Sequence, residues 1–194
     1  TTLKLDKEKT AEVVQNLLVS HPKLWDLDFP YRYTVETIIK KGGKTIDKYL
    51  TPFGIRSVKF DKDKGFFLNN KHLKLKGMCL HQDAGCLGTA VPDRAYERRL
   101  LILKEFGTNA IRCSHNPPSP EFLNYCDSIG FLVIDEAFDK WKSGYYEEFF
   151  DSSWQQDISD MVIRDRNHPS VILWSIGNEL AEAKLKDDTG IERA

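Results

Sequence analysis

The sequence has no apolar run of about 18 residues, which excludes a membrane-spanning helix. It shows no charged-then-apolar leader, so no signal peptide is legible. The chain begins at Thr1 rather than Met, and a trimmed leader would leave the same sequence, so the compartment (cytoplasmic, or periplasmic and secreted) stays open. No surplus of charge exists: 28 Lys and Arg face 29 Asp and Glu, a net charge of -1. That balance gives no electrostatic basis for binding nucleic acid or an acidic membrane surface. Cys79, Cys86, Cys113 and Cys126 form no Cys-x-x-Cys pair, which argues against a structural zinc or redox motif. Cys79 and Cys113 fall in apolar strand-like runs, and the cysteines read as buried free thiols rather than a disulfide framework. Fixed-period repeats, low-complexity segments, Gly-x-Gly-x-x-Gly and Gly-x-x-x-x-Gly-Lys are all missing, which removes the usual dinucleotide and nucleotide readings and leaves no cofactor implied.

What is present is a globular composition, 41% hydrophobic, enough to build a core. The first third reads as β. Tyr31 to Ile39 is rich in β-branched and aromatic residues, Lys41-Gly42-Gly43-Lys44 is a turn, and Thr45 to Leu50 returns as a second strand. A lone hairpin of this kind is marginal in water. Phe67 to Leu73 reads as a short hairpin with an Asn69-Asn70 turn.

From Leu75 the texture changes. Leu75 to Leu80, Asn109 to Cys113, Phe131 to Ile134 and Val171 to Trp174 are strands, the third apolar throughout as in a parallel sheet buried on both faces. Between them lie three helices. The first spans Tyr96 to Phe106. Ser119-Pro120-Glu121 begins the second, which stops at Gly130. The third is predicted to begin near Ser153, with Gln156 completing a capping box. Strand and helix alternation of this kind means a parallel α/β sheet.

In such folds the working groups sit at the C-terminal strand ends. Here these ends carry His81-Gln82-Asp83, Arg112-Cys113-Ser114-His115, Asp135-Glu136 and Asn178-Glu179. Each alone is more simply a helix cap, a packed histidine or a solvated acid. Together, neighbouring strands would bring His81, Arg112, His115, Asp135, Glu136 and Glu179 around one crevice. That make-up suits hydrolysis of a sugar acetal, in which one carboxylic acid protonates the leaving oxygen and a second carboxylate attacks the anomeric carbon or activates water. Trp141 is a candidate sugar platform, with a packed loop aromatic as the plainer alternative.

Asp165 to Glu179, with Trp174-Ser175-Ile176-Gly177-Asn178-Glu179 at its end, resembles the acid/base signature of glycoside hydrolase family 2. Asn109 to Pro117 resembles that family's other signature, with Asn116 where a Tyr is common. Gly77 to Asp83 is similar to the family's first barrel strand. Leu24-Trp25, Pro30-Tyr31 and Phe53-Gly54-Ile55-Arg56 are similar to the immunoglobulin-like domain that precedes the barrel. The resemblance implies an α/β fold: the first half of a TIM (β/α)8 barrel, preceded by part of an immunoglobulin-like β-sandwich, with the sandwich over 1–60 and the barrel half over 61–194. It implies a retaining exo-glycosidase for terminal β-linked sugars, a β-galactosidase by local wording, with β-glucuronidase and β-mannosidase as alternatives. Glu179 would be the general acid/base. Asn178, His81, His115, Arg112 and Glu136 would bind the substrate or support its carboxylates. Some relatives place a metal after the third strand. Lys140-Trp141 occupies that stretch here, so no such metal is expected.

The resemblance also places the nucleophile, a second Glu, beyond Ala194, and further domain before Thr1. The expectation is therefore an internal fragment, inactive alone, whose open sheet edges make self-association one outcome. The two other classes open at this point are a metal-dependent hydrolase using His81, Asp83, His115 and Glu179, and a non-catalytic carbohydrate-binding fragment.

Overall fold

The computed structural model describes residues 1–180 other than 5 and 8; residues 181–194, the end of the expected barrel half, lie outside the described residues. Strands β1 (Tyr33–Lys41) and β2 (Lys44–Phe53) form an antiparallel hairpin. Gly42 and Gly43 close it at φ 56° and 80°, the positive values that a two-residue turn matched to strand twist demands at both centres. Strand β1 lies two residues later than the expected 31–39, and β2 runs longer than the expected 45–50 at both ends. Tyr31 is taken up by a tight turn onto the Phe29 carbonyl (2.7 Å), and the Tyr33 and Phe53 rings, a cross-strand pair, stack at 5.6 Å and extend the ladder.

A three-stranded meander follows: β3 (Val58–Asp61), β4 (Gly65–Leu68) and β5 (Lys71–His72). The Asn69-Asn70 turn forms as expected, with φ 50° and 64°. Strand β3 has no clear sequence signal, because its turn is made by a side chain: the Asp61 carboxylate accepts from the Asp63 and Lys64 amides (3.1 and 3.0 Å).

Four parallel strands then pair in chain order: β6 (Gly77–His81), β7 (Ala110–Ser114), β8 (Leu132–Glu136) and β9 (Val171–Ser175). Helices α1 (Asp93–Glu105), α2 (Pro120–Ile129) and α3 (Glu147–Asp165) connect them. Helix α2 is capped as its sequence predicts: Ser119 Oγ accepts from the Phe122 amide at 3.3 Å, and Gly130 ends it at φ 84°. Helix α3 corrects the expectation. It starts at Glu147, the Ser153–Gln156 box does not form, and Gln156 instead donates to Asp160 (2.7 Å) one turn on. Its apolar stripe begins a turn earlier, at the buried Phe150, and Glu147 and Glu148 put negative charge at its positive end.

The main core lies between this sheet and its helices, with Leu100, Ile111, Leu123, Phe131 and Val133 at its centre. A second core plugs the N-terminal end of the sheet, where Phe66 and Leu68 of β4 meet Trp25, Ala110 and Leu132. Polar clamps hold that end. The buried Trp25 indole donates to the Asp127 carbonyl (2.8 Å), Arg56 donates to the carbonyls of Pro169 and Val171, and Lys104 donates to those of Leu27, Ile129 and Gly130. Gly130 is needed for close approach as well as for φ: a Cβ there would lie 2.2 Å from the Leu27 oxygen. All four cysteines are free. Cys113 and Cys126 are buried, and burial pushes both thiols up. Cys79 and Cys86 are exposed, contrary to expectation: Cys79 lies on β6, which pairs on one side only among the described residues, and Cys86 lies in the loop that follows it. Among the described residues, no helix is long and apolar enough to cross a membrane.

Candidate active site

Parallel pairing with nearly equal strand lengths brings the C-terminal ends of β6 to β9 level, so His81, Ser114, Glu136 and Ser175 lie side by side. Glu136 is fully buried and is the hub of the cluster. Its carboxylate accepts from Arg112 Nε (2.9 Å) and Nη2 (3.0 Å), meets His115 Nδ1 at 2.7 Å, and accepts from Ser175 Oγ (2.8 Å). The two-nitrogen Arg112 contact is the strong forked geometry of a guanidinium on a carboxylate, and the Glu136 bond raises the Arg112 pKa further. Glu136 therefore does not face the crevice as a substrate ligand. Its oxygens are occupied in holding Arg112 and His115.

The same Arg112 Nη2 also orients Asn178, whose Oδ1 accepts from it at 3.0 Å. The other face of that amide is fixed by Asp139: Asn178 Nδ2 donates to Asp139 Oδ1 (2.9 Å), and the Asn178 backbone amide donates to the Asp139 carbonyl (2.7 Å). The Asn178 bond first, then the Lys140 ammonium, hold the Asp139 carboxyl below its usual range. Lys140 reaches Glu179 Oε2 at 3.4 Å, and its own pKa is raised by Asp139 first and by Glu179 after it. Glu179 has a 68% exposed side chain, on a backbone in the left-handed region (φ 50°) that is uncommon for a non-glycine residue. His81 stands with its ring perpendicular to that of His115, centroids 5.2 Å apart.

The structure thus joins Arg112, His115, Glu136 and Asn178 in one bonded network, with Glu179 and His81 at its rim. Sequence reasoning missed Ser175, Asp139 and Lys140 as members. Asp139 carried one signal, as a third acid just after Asp135-Glu136. Trp141 is no sugar platform: it is 2% exposed, stacks on Phe150 at 5.3 Å and donates to the Ile176 carbonyl (2.9 Å). It anchors the backbone ahead of Gly177, where a Cβ would crowd Trp141 Nε1 at 3.1 Å and Leu180 at 2.7 Å. His81, Asp83, His115 and Glu179 do not gather as metal ligands, and among the described residues no group of three such side chains does.

Asp135 points to the opposite face from Glu136, as strand alternation requires. Its carboxyl is buried near Asp165, which is also buried and accepts two bonds from Arg164 (2.7 and 2.6 Å). Among the described residues, no hydrogen bond of normal geometry reaches either Asp135 oxygen. We therefore read the influence of Asp165 as charge repulsion rather than a bond. Burial first, then Asp165, push the Asp135 carboxyl up to about 8, with Arg164 opposing. An acid whose folded pKa is raised contributes stability that is present below its unfolded value near 4 and lost as pH rises through about 8. Thermal unfolding is thus expected to show the Asp135 contribution to stability falling between about pH 4 and about pH 8, by up to about 1.4 kcal/mol per pH unit. The Asp135→Asn variant should flatten this slope, and an equal slope in that variant would refute the assignment.

Comparison with known proteins agrees with this geometry. The model of "Glycosyl hydrolases family 2, TIM barrel domain" matches residues 58–189, and that of "Glycosyl hydrolases family 2" matches residues 1–56. The β-galactosidase BoGH2A of Bacteroides ovatus is 51% identical over 95% of this chain and 23% of its own length. A β-glucuronidase of Bacteroides fragilis is 35% identical over 89% of the chain and 26% of its own length. Among solved structures, a family 2 member from Bacteroides cellulosilyticus superposes with a TM-score of 0.83 at 49% identity, over 89% of this chain and 23% of that one. The β-glucuronidase of Parabacteroides merdae gives 0.77 at 29% identity, over 90% and 22%. The chain spans about a quarter of the length of these relatives. With a matched barrel model over most of its residues and four parallel barrel strands carrying the bonded carboxylate network, the chain belongs to glycosyl hydrolases family 2.

Proposed function

We propose that this chain supplies the acid/base half of a retaining exo-β-glycosidase, with Glu179 as the general acid/base. One observation carries the reading: Glu179 is an exposed carboxylate at the rim, beside an Asn178 amide locked on both faces. In the first step Glu179 gives its proton to the glycosidic oxygen as the bond from the anomeric carbon breaks and a carboxylate nucleophile bonds that carbon. In the second, Glu179 takes a proton from water as the water oxygen displaces the nucleophile. Asn178 would hold a sugar hydroxyl, and His81 and His115 would line the sugar site, with Arg112 holding Asn178 directly and Glu136 holding His115. Neither Glu136, buried and fully bonded, nor Asp135, on the other face, is free to be the nucleophile. We infer that the sandwich segment ends and the barrel half begins near residue 60, a reading supported by the packing of β4 against the barrel sheet.

The substrate we propose is a β-galactoside. The high identity to a protein named a β-galactosidase supports it, while a protein named a β-glucuronidase at 35% favours a glucuronide as the second reading. Turnover of chromogenic galactoside, glucuronide and mannoside by the enzyme containing this chain ranks the sugars, and the stereochemistry of the first product should be retention. The 194 residues alone are expected to be inactive on a chromogenic β-galactoside. Turnover by the purified chain that Glu179→Gln abolishes would overturn that expectation.

A further inference from the structure

The loop that carries His115 has few means of holding itself. Pro117 and Pro118 follow in it and bring no backbone N–H. Asn116, which donates to Gln82 at 2.9 Å, is exposed. At its start the loop is held by His115 on Glu136. At its end it is held from α3: Arg164 Nη2 donates to the Pro118 carbonyl at 2.7 Å. The same nitrogen donates to Asp165 Oδ2 (2.6 Å), while Arg164 Nε donates to Asp165 Oδ1 (2.7 Å). One guanidinium thus joins a fully buried carboxylate at the end of α3 to the loop that leaves β7.

Asp135 completes the cluster. It is fully buried on the helix side of the sheet, and among the described residues neither of its oxygens has a partner. Asp165 and Arg164 face it from α3, and the Cys113 thiol, which burial keeps uncharged, faces it from β7. Its neighbour on β9 is the uncharged Trp174, and Glu121 of α2 acts on Arg164. Two buried carboxylates and one guanidinium make an arrangement with two settings. While Asp135 is uncharged, Arg164 has one anion to satisfy and can share Nη2 with Pro118. Once Asp135 is charged, a second buried carboxylate lies beside Asp165, a state that a low-dielectric interior disfavours unless a cation moves in. Arg164 is the cation at hand, and the nitrogen that would turn is the one Pro118 shares.

We propose that Arg164 is a positioning residue for the sugar site, holding the His115 loop through Pro118, and that Asp135 gates it: uncharged, Asp135 leaves Arg164 on Pro118, and charged, it draws Arg164 away. Burial and Asp165 push the Asp135 carboxyl up to about 8, which brings the gate within ordinary assay conditions. The inference rests on the proposed place of His115 at the sugar and is independent of which sugar is bound.

The test follows kcat/KM for a dinitrophenyl β-glycoside of the preferred sugar, in the enzyme containing this chain, from about two units below to about two units above that value, with thermal unfolding run at each pH to show that the protein is folded. This leaving group needs no proton, so loss of the Glu179 proton does not shape the profile. The unaltered enzyme is expected to lose about tenfold or more across the alkaline half, since a misplacement of about 1 Å can cost about 10²-fold. Asp135→Asn, neutral throughout, should give a flat profile. Arg164→Met combined with Asp165→Asn strands no buried charge, and should lower kcat/KM about tenfold at neutral pH and flatten the profile as well. A flat profile in the unaltered enzyme, an equal alkaline fall in Asp135→Asn, or unaltered kcat/KM in the double variant would overturn the inference. Failure of the unaltered enzyme to turn over any β-glycoside would instead overturn the proposed function, and the inference with it.

Discussion

Replacing Glu179 with alanine in the enzyme containing this chain is expected to lower kcat/KM on β-glycosides with alkyl or sugar leaving groups by about 10²–10⁴-fold, the usual contribution of a positioned general acid. The same variant should lose far less on a dinitrophenyl glycoside, whose leaving oxygen departs as a stable anion and needs no proton. The split between the two substrates, more than the size of either loss, marks the residue as an acid. A structural role would depress both alike. The exposed position of Glu179 means that its removal uncovers no buried group and should leave the fold intact. Its carboxylate touches the Lys140 ammonium, itself held by Asp139, and its side chain is 68% exposed. Unchanged thermal unfolding is therefore the expected companion result.

The second large effect is expected at Glu136, and it should have the opposite signature. This carboxylate is fully buried and ties together Arg112, His115 and Ser175. Its replacement by alanine leaves the Arg112 guanidinium and the His115 imidazole without their carboxylate, while the Ser175 hydroxyl keeps the Gly177 carbonyl at 3.3 Å. Breaking a buried ion pair costs about 3–5 kcal/mol, and the low end is expected here because Arg112 keeps 32% exposure and some access to water. Activity should fall together with stability, since Arg112 also orients the Asn178 amide (3.0 Å). Adding Arg112→Met to Glu136→Ala removes the stranded charge and should restore part of the stability, while activity stays low. Denaturant unfolding of the single and double variants measures both. A Glu136→Ala protein of normal stability and reduced activity would show that Glu136 acts on the substrate rather than on its neighbours.

Much of this arrangement is legible in the sequence, and what is legible shares a physical character. Asn69-Asn70, Gly42-Gly43 and the Ser119-Pro120 start of α2 announce themselves because their backbone demands fall on few residue types. The four barrel strands are readable because each is a short apolar run ending in polar groups, and the crevice residues follow from that ending. The rest depends on contacts that the chain makes only once folded. Strand β3 turns on the Asp61 side chain, with Gly65 at φ 83° opposite it closing the turn. Helix α3 starts a turn and a half before its apparent cap because Phe150 is drawn into the core around Trp141, and burial outweighs the Ser153–Gln156 signal. Cys79 looks buried from its apolar neighbours, but its strand pairs on one side only among the described residues. Trp141 looks like a sugar platform from its place after a strand, yet it packs on Phe150 and holds the Ile176 carbonyl. Asp139, Lys140 and Ser175 carry no spacing of their own. Their importance lies in reaching Asn178, Glu179 and Glu136 across tens of residues.

The central claim is that Glu179 works on the face of the sugar from which water attacks the glycosyl-enzyme. It is tested most directly by adding azide to the Glu179→Ala enzyme with a dinitrophenyl β-glycoside. A small anion fits the space that the carboxylate leaves and needs no base to attack. The account predicts that azide restores turnover and that the product is the β-glycosyl azide, with retained configuration. An α-glycosyl azide would make Glu179 the nucleophile instead, and no rescue at all would contradict an acid/base role.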